Sequence, residues 1–260
     1  MNRRSSDYSP TLYVYTAATI VAGLASFLWA ALSFPVDQQI SLTSAGGREG
    51  VLLGLVFWIS VGFLGGLKVE RLHGHGALTF HYPFIIAATA LGGPVAGALV
   101  ALISTIERRE LRDVPWFGLL ANHASLTLAA ICGGVTMILV RQGLTALAAT
   151  EAQTVELIAI VLGSLVVGTV ATALASGTVI LRDRLGVSEA MQVYDTGFRT
   201  MSAAEVVLGW VLWLTFSTVG WWAALICAVL VLSLWSGHDA RDARHDAMTG
   251  LLSRAGLTPD

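Results

Sequence analysis

Six apolar runs divide the chain. A hydrocarbon core of about 30 Å takes roughly 20 helical residues to cross and offers no partner to unsatisfied backbone, so each run predicts a helix. Four have the length of one crossing: Thr11 to Phe34, Val51 to Leu67, Trp116 to Val140 and Val155 to Leu181. Two do not fit so simply. Thr79 to Thr105, "TFHYPFIIAATALGGPVAGALVALIST", has Gly92-Gly93-Pro94 at its centre, where free backbone torsion meets a missing amide donor and a helix should break or bend sharply. Ala204 to Trp235 is too long for one untilted crossing and carries Ser217-Thr218-Val219-Gly220 in its middle. Each is either a single broken span or a helical hairpin that enters and leaves on one side.

The cations favour the hairpins, because Lys and Arg concentrate in short cytoplasmic loops. With both runs folded back and the N-terminus inside, only Arg48 and Arg141 lie outside and the other thirteen Lys and Arg lie inside. With two single spans the division is eight inside to seven outside. Either way the C-terminus is cytoplasmic. The expected architecture is therefore an all-α integral membrane protein, a polytopic helical bundle of four full spans plus two broken or hairpin segments, 6–8 membrane helices in all. Span, span, hairpin then occurs twice, each time from the inside, an order compatible with a parallel internal repeat.

Composition agrees with this frame. Hydrophobic residues make up 55% of the 260 and charged residues only 12%, against about a quarter charged in soluble domains. The 27 glycines suit close helix packing in lipid. A net charge of −2 does not suggest nucleic acid as a partner. The N-terminal "MNRRSSDYSP" precedes an apolar run longer than the core of a secretory signal, so it reads as an uncleaved signal anchor. Cys132 and Cys227 lie within apolar runs as small packing residues. Trp116, Trp221, Trp222 and Trp235 fall at interfacial positions, while Trp29, Trp58, Trp210 and Trp213 lie deeper as packing or lipid contacts.

Polar groups inside apolar runs are costly and so mark candidate sites. Asn122 and His123, in "FGLLANHASLTLAA", offer an amide and a titratable ring about two turns into a span, for either an interhelical hydrogen bond or a ligand contact. Gly92, Gly93, Pro94 and Gly220 are the candidate hinges. His73, His75 and His81 could supply metal ligands, but the Gly-rich interfacial loop that holds them accommodates histidine unligated, and no metal site is expected. "IERRELRD", Glu107 to Asp113, suits a solvated helix end on anionic lipid headgroups or against a cytoplasmic partner. No phosphate-binding glycine loop, nucleophilic triad or zinc-protease motif occurs, so no catalytic residue is expected in these 260 residues.

After the last apolar run the text changes character. His238-Asp239 recurs as His245-Asp246 one heptad later, with Ala240, Ala243 and Ala247 at helical spacing, either a helix pairing with its copy or an isolated solvated one. The string "HDAMTGLLSRAGL" then resembles the opening of the GGDEF domain of bacterial diguanylate cyclases. The matching positions are His245, Asp246, Thr249, Gly250, Leu251, Arg254 and Leu257. Met248 stands where leucine is usual, and Leu252-Ser253 where proline-asparagine is common. The resemblance covers about thirteen residues, and the membrane part is more loosely similar to the multi-span regions that precede such domains. It implies that Asp246, Thr249, Gly250, Leu251 and Arg254 form the opening turn of the output domain, whose catalytic loop, GTP and Mg sites would lie further along. It also implies a homodimer, because the cyclase opposes two GTP-loaded domains.

The resulting expectation is a membrane sensory and dimerising input domain over residues 1–236, a helical linker over 237–245, and the beginning of a truncated cytoplasmic GGDEF domain over 246–260. The input domain would answer to membrane lipid or an unknown small molecule and regulate synthesis of cyclic di-GMP. The alternatives are a small-solute transporter or ligand-binding membrane protein, whose central sites are also built at broken helices, and a passive anchor.

Overall fold

The computed structural model describes residues 8–42, 47–66, 70–71, 77–78, 81–106, 114–147, 151–223, 225–230 and 232. Six helices dominate: α1 Pro10–Ser33, α2 Gly47–Gly66, α3 Tyr82–Ser104, α4 Trp116–Ala146, α5 Ala152–Asp183 and α6 Val187–Val219. The molecule is an all-α polytopic membrane bundle. The first five helices have the length and apolar composition of membrane spans, and α1, α2, α4 and α5 start or end within a few residues of the expected crossings. The α4 helix continues past Val140 to Ala146, and α6 begins well before Ala204, at Val187.

Local chemistry sets the boundaries. The Ser9 hydroxyl accepts the Leu12 amide and Pro10 opens α1. Arg184 ends α5 with φ +56, and the Glu189 carboxylate accepts the Gly186 amide at 2.9 Å as α6 begins. Between α2 and α3 a two-residue antiparallel ladder, β1 Glu70–Arg71 with β2 Ala77–Leu78, forms inside the segment read from sequence as a loop.

The α3 segment folds back on itself. An added Cβ on Gly97 would stand 3.2 Å from the Thr89 Cα, although eight residues of continuous helix would separate them by about 12 Å. Gly62 of α2 meets both ends of α3, since its added Cβ would lie 2.8 Å from the Ser104 Cβ and 3.6 Å from the Phe84 Cβ. The hairpin expected over 79–105 is therefore present over its described part, Tyr82–Ser104. One arm rises over Tyr82–Gly92 and the other descends from Pro94 to Ser104. Each arm is about 16 Å long, too short for a crossing. Gly93 makes the turn with φ +81 and ψ −173, a conformation that is essentially glycine's alone.

This hairpin is the centre of the bundle. Phe84, Ile85, Ile86, Ala87, Ala88, Leu91, Ala96, Ala98, Val100 and Ala101 are all buried, as befits a helix that is apolar all round with neighbours on every side. By contrast α1 leaves Val14, Val21, Leu24, Leu28 and Leu32 exposed on its surface, a face for lipid. Because lipid tails are as apolar as leucine, small residues at the crossings set how closely these helices pack. Gly133 of α4 and Gly163 of α5 face each other so tightly that a Cβ on either would lie 2.8 Å from the other's carbonyl oxygen.

The chain breaks again at Gly220, with φ +59, and passes through a short turn over Gly220–Trp222. Ala223 and Cys227 beyond it are buried in the same core as Leu212, Trp213 and Phe216. Trp116 and Trp222 are exposed as expected of interfacial residues, and so is Trp29; Trp58 is fully enclosed. The expected linker and opening of the output domain, including Asp246, Thr249, Gly250, Leu251 and Arg254, lie outside the described residues, as do His73 and His75 and the stretch 107–113.

Candidate functional site

A helix break inside a bundle frees carbonyls that need donors. At the α3 turn the Ala90 carbonyl cannot be served from position 94, because proline has no N–H and Gly93 has turned the chain away. The Arg141 guanidinium, from α4, supplies the donor: its Nη2 lies 2.9 Å from the Ala90 oxygen. A cation also suits the negative end of the first arm's dipole. Arg141 is held in turn by Glu156 of α5, with Nε donating at 2.9 Å and Nη2 at 2.8 Å from the same Oε2. The two side chains are 24% and 25% exposed, so the pair borders solvent while its contact with Ala90 faces inward.

A second freed carbonyl, that of Gly92, accepts the Asp37 amide at 3.2 Å. Asp37 also orders the short turn Gln38–Ile40, its Oδ1 accepting the Gln39 amide at 2.9 Å. Ile40 then packs on the tip, its Cδ1 2.9 Å from where a Gly92 Cβ would stand. The tip of α3 is thus clasped from two directions, by the α1–α2 connection and by an ion pair joining α4 to α5. We call this end of the bundle distal, and the opposite end, where the hairpin begins and ends, proximal.

At the proximal end the second arm closes on α4. The Thr105 Oγ1 donates its only proton to the Ala101 carbonyl at 2.6 Å, so at 2.9 Å from the His123 Nδ1 it accepts. This geometry assigns the Nδ1–H form to the ring. Gly134 of α4 packs on Pro94 and His123 on Thr105, so the same eleven-residue separation recurs on both elements, and α4 runs antiparallel to the second arm along its whole length. His81, at the start of the first arm, is buried against α2, with Nδ1 3.4 Å from the Gly62 carbonyl oxygen.

The sequence candidates are therefore distributed unevenly. Gly92, Gly93 and Pro94 form one turn, and Gly220 forms another. Asn122 and His123 do not share a site: His123 faces the hairpin while Asn122, a hundred degrees round the helix, is on the exposed side of α4. Among the described residues no group of three His, Cys, Asp or Glu side chains is arranged to hold a metal ion.

Three charged side chains of the bundle are not marked by the sequence pattern: Arg141, which counts there only as a loop cation, and Glu156 and Glu205. Glu205 is buried on α6, one turn before Gly209, which packs against Ile86 and the Pro83 carbonyl of the first arm. The available signal for Arg141 was indirect. Proline at 94 implies a carbonyl at 90 in need of a donor, but nothing in the spacing says which of the chain's cations reaches it.

What the fold and the clasp define is a multi-pass helical membrane protein built around a hairpin whose turn is held by charge. Comparisons with protein-family models, with curated proteins and with solved structures give no match to this chain.

Proposed function

We propose that this chain is the membrane-embedded input module of a cyclic di-GMP signalling protein, lying in a bacterial cytoplasmic membrane with both termini in the cytoplasm and acting as a homodimer. The observation that carries the reading is the string "HDAMTGLLSRAGL" following the last apolar run, where such proteins begin their output domain. The clasped hairpin supports it by offering an element held by a few separable contacts, the Arg141 bond to Ala90 and the Asp37 bond to Gly92, whose release would permit a second packing. A stimulus that prefers one packing shifts the population only as far as its affinity differs between them, and α6 and the segment after Gly220 pass the difference towards the linker. GTP and Mg would act only in the output domain. These 260 residues bind and transmit and carry out no catalysis.

One observation favours a second reading, a solute-binding or transporter-like protein: an ion pair set at the end of a broken helix is also how solute sites are built in membrane bundles. The two are separated by measuring cellular cyclic di-GMP from a chain carrying the complete output domain. Replacing residues 1–236 by an unrelated multi-span anchor should leave synthesis on but unregulated. An output that stays regulated after the swap would overturn the input role, and an output absent from both chains would overturn the signalling reading itself. Asn122→Ala with His123→Leu tests the Thr105 contact in the same assay; unchanged regulation would remove His123 from the mechanism. A cysteine at Glu110 checks the topology, since labelling from outside alone contradicts it.

A further inference from the structure

The ion pair at the hairpin turn uses only part of its bonding capacity. Arg141 spends Nε and Nη2 on Glu156 and Ala90, and Glu156 spends Oε2 on Arg141. Among the described residues, Arg141 Nη1 and Glu156 Oε1 have no partner. Each side chain is about a quarter exposed at the distal end, which the distribution of cations puts outside the cytoplasm. Two donors of a cation and one acceptor of an anion that no described residue engages thus stand side by side on neighbouring helices.

We propose that Arg141 and Glu156 form a receptor site for a small zwitterion of the α-amino acid type. A lone anion would find Arg141 but be opposed by the Glu156 carboxylate, and a lone cation would be opposed by the guanidinium. A molecule carrying both charges a few atoms apart meets the two residues without either repulsion. Its carboxylate takes the Nη1 side of the guanidinium fork, a geometry that arginine offers and lysine does not, and its ammonium takes Glu156 Oε1. Because the same guanidinium holds the Ala90 carbonyl, a bound carboxylate competes with the hairpin turn for Arg141. Occupancy therefore alters how firmly the tip is clasped. The inference rests on the geometry of the clasp and not on the cyclic di-GMP reading, and it is tested on the chain alone.

The experiment is calorimetric titration of the 260-residue chain in lipid nanodiscs with the protein amino acids and their mirror forms. Acetate, ethylamine, N-acetyl amino acids and amino acid amides serve as single-charge controls. At least one amino acid should bind saturably. Blocking either of its charged groups, or introducing Arg141→Gln or Glu156→Gln, should weaken binding by at least about tenfold, the loss of one charge-assisted contact. If Arg141→Gln does not fold, Glu156→Gln and the blocked ligands still decide. Saturable binding by no amino acid would overturn the proposal, as would unchanged affinity in a folded Arg141→Gln or Glu156→Gln protein. Acetate binding as tightly as the best amino acid would also overturn it, in favour of a plain anion site.

Discussion

Gly93 and Gly220 both take positive φ, +81 and +59, and both interrupt an apolar helix, yet the hydrogen bonds described around them differ in range. At Gly220 they stay within α6. The Gly220 amide closes the last turn on the Phe216 carbonyl, and the Ser217 and Thr218 hydroxyls donate one turn back, to the Trp213 carbonyl and, at 2.8 Å, to the Leu214 carbonyl. At Gly93 the donors come from elsewhere, the Arg141 guanidinium for Ala90 and the Asp37 amide for Gly92. A break that depends on distant groups reports on them. A self-contained one transmits only what its own helix does.

The contrast can be broken most violently by crowding the first turn. A Cβ at Gly134 would lie 2.7 Å from the Pro94 Cα, a backbone atom with no room to retreat, whereas nothing lies within 4 Å of one at Gly143 on the same helix. Gly134→Leu should therefore cost about 3 kcal/mol or more and prevent recovery of folded protein from membranes. Gly143→Leu should be neutral or slightly stabilising, since leucine is the better helix former. Equal recovery of the two would mean that α4 does not press on the hairpin.

Arg141→Gln comes next. It removes a charge-assisted bond to a carbonyl that has no alternative donor, and unfolding in mixed micelles should register a loss of about 2–3 kcal/mol. Glu156→Gln, which leaves the Ala90 contact in place and weakens only a partly exposed ion pair, should cost about 1 kcal/mol or less. An equal loss in the two variants would make the ion pair, and not the capped carbonyl, the source of stability.

Gly220→Ala isolates the backbone term. With no crowding around an added Cβ, the expected cost is the torsional one alone, about 1–3 kcal/mol for a side chain held at φ +59 and ψ −132. It should be independent of Arg141, so the two losses should add. A coupling above about 0.5 kcal/mol would show that the two breaks are not separate elements.

Hydropathy is a property of each residue alone, so the crossings at α1, α2, α4 and α5 and the break at Gly92-Gly93-Pro94 were visible in it. Cation counting chose the hairpin over the broken span because thirteen of fifteen cations then fall on one side. The clasp was invisible for a different reason. Arg141 and Ala90 are 51 residues apart, and a bond of that range depends on how α4 is rotated against α3, which composition does not encode. The same ignorance of rotation paired Asn122 with His123, two neighbours in sequence that point to different sides of α4. Residues 187–203 lie outside the apolar runs, so hydropathy assigns them nothing, but helical hydrogen bonding carries α6 through them from Val187.

The smallest effect has the most informative sign. Inside an uninterrupted helix a proline costs about 3 kcal/mol, so replacing it stabilises. At the first position of a helix its fixed φ is an advantage and its missing N–H costs nothing. Because α3 is two arms and not one bent helix, Pro94 begins the second arm, and Pro94→Ala should lose about 0.4–1 kcal/mol through the greater freedom of the unfolded chain. Arg141 should remain on the Ala90 carbonyl, since Gly93 still directs the chain away from it. A gain in stability would mean that alanine had restored a continuous helix through residue 94. Gly97 would then part from Thr89, Ser104 would leave Gly62, and the single broken span would replace the hairpin.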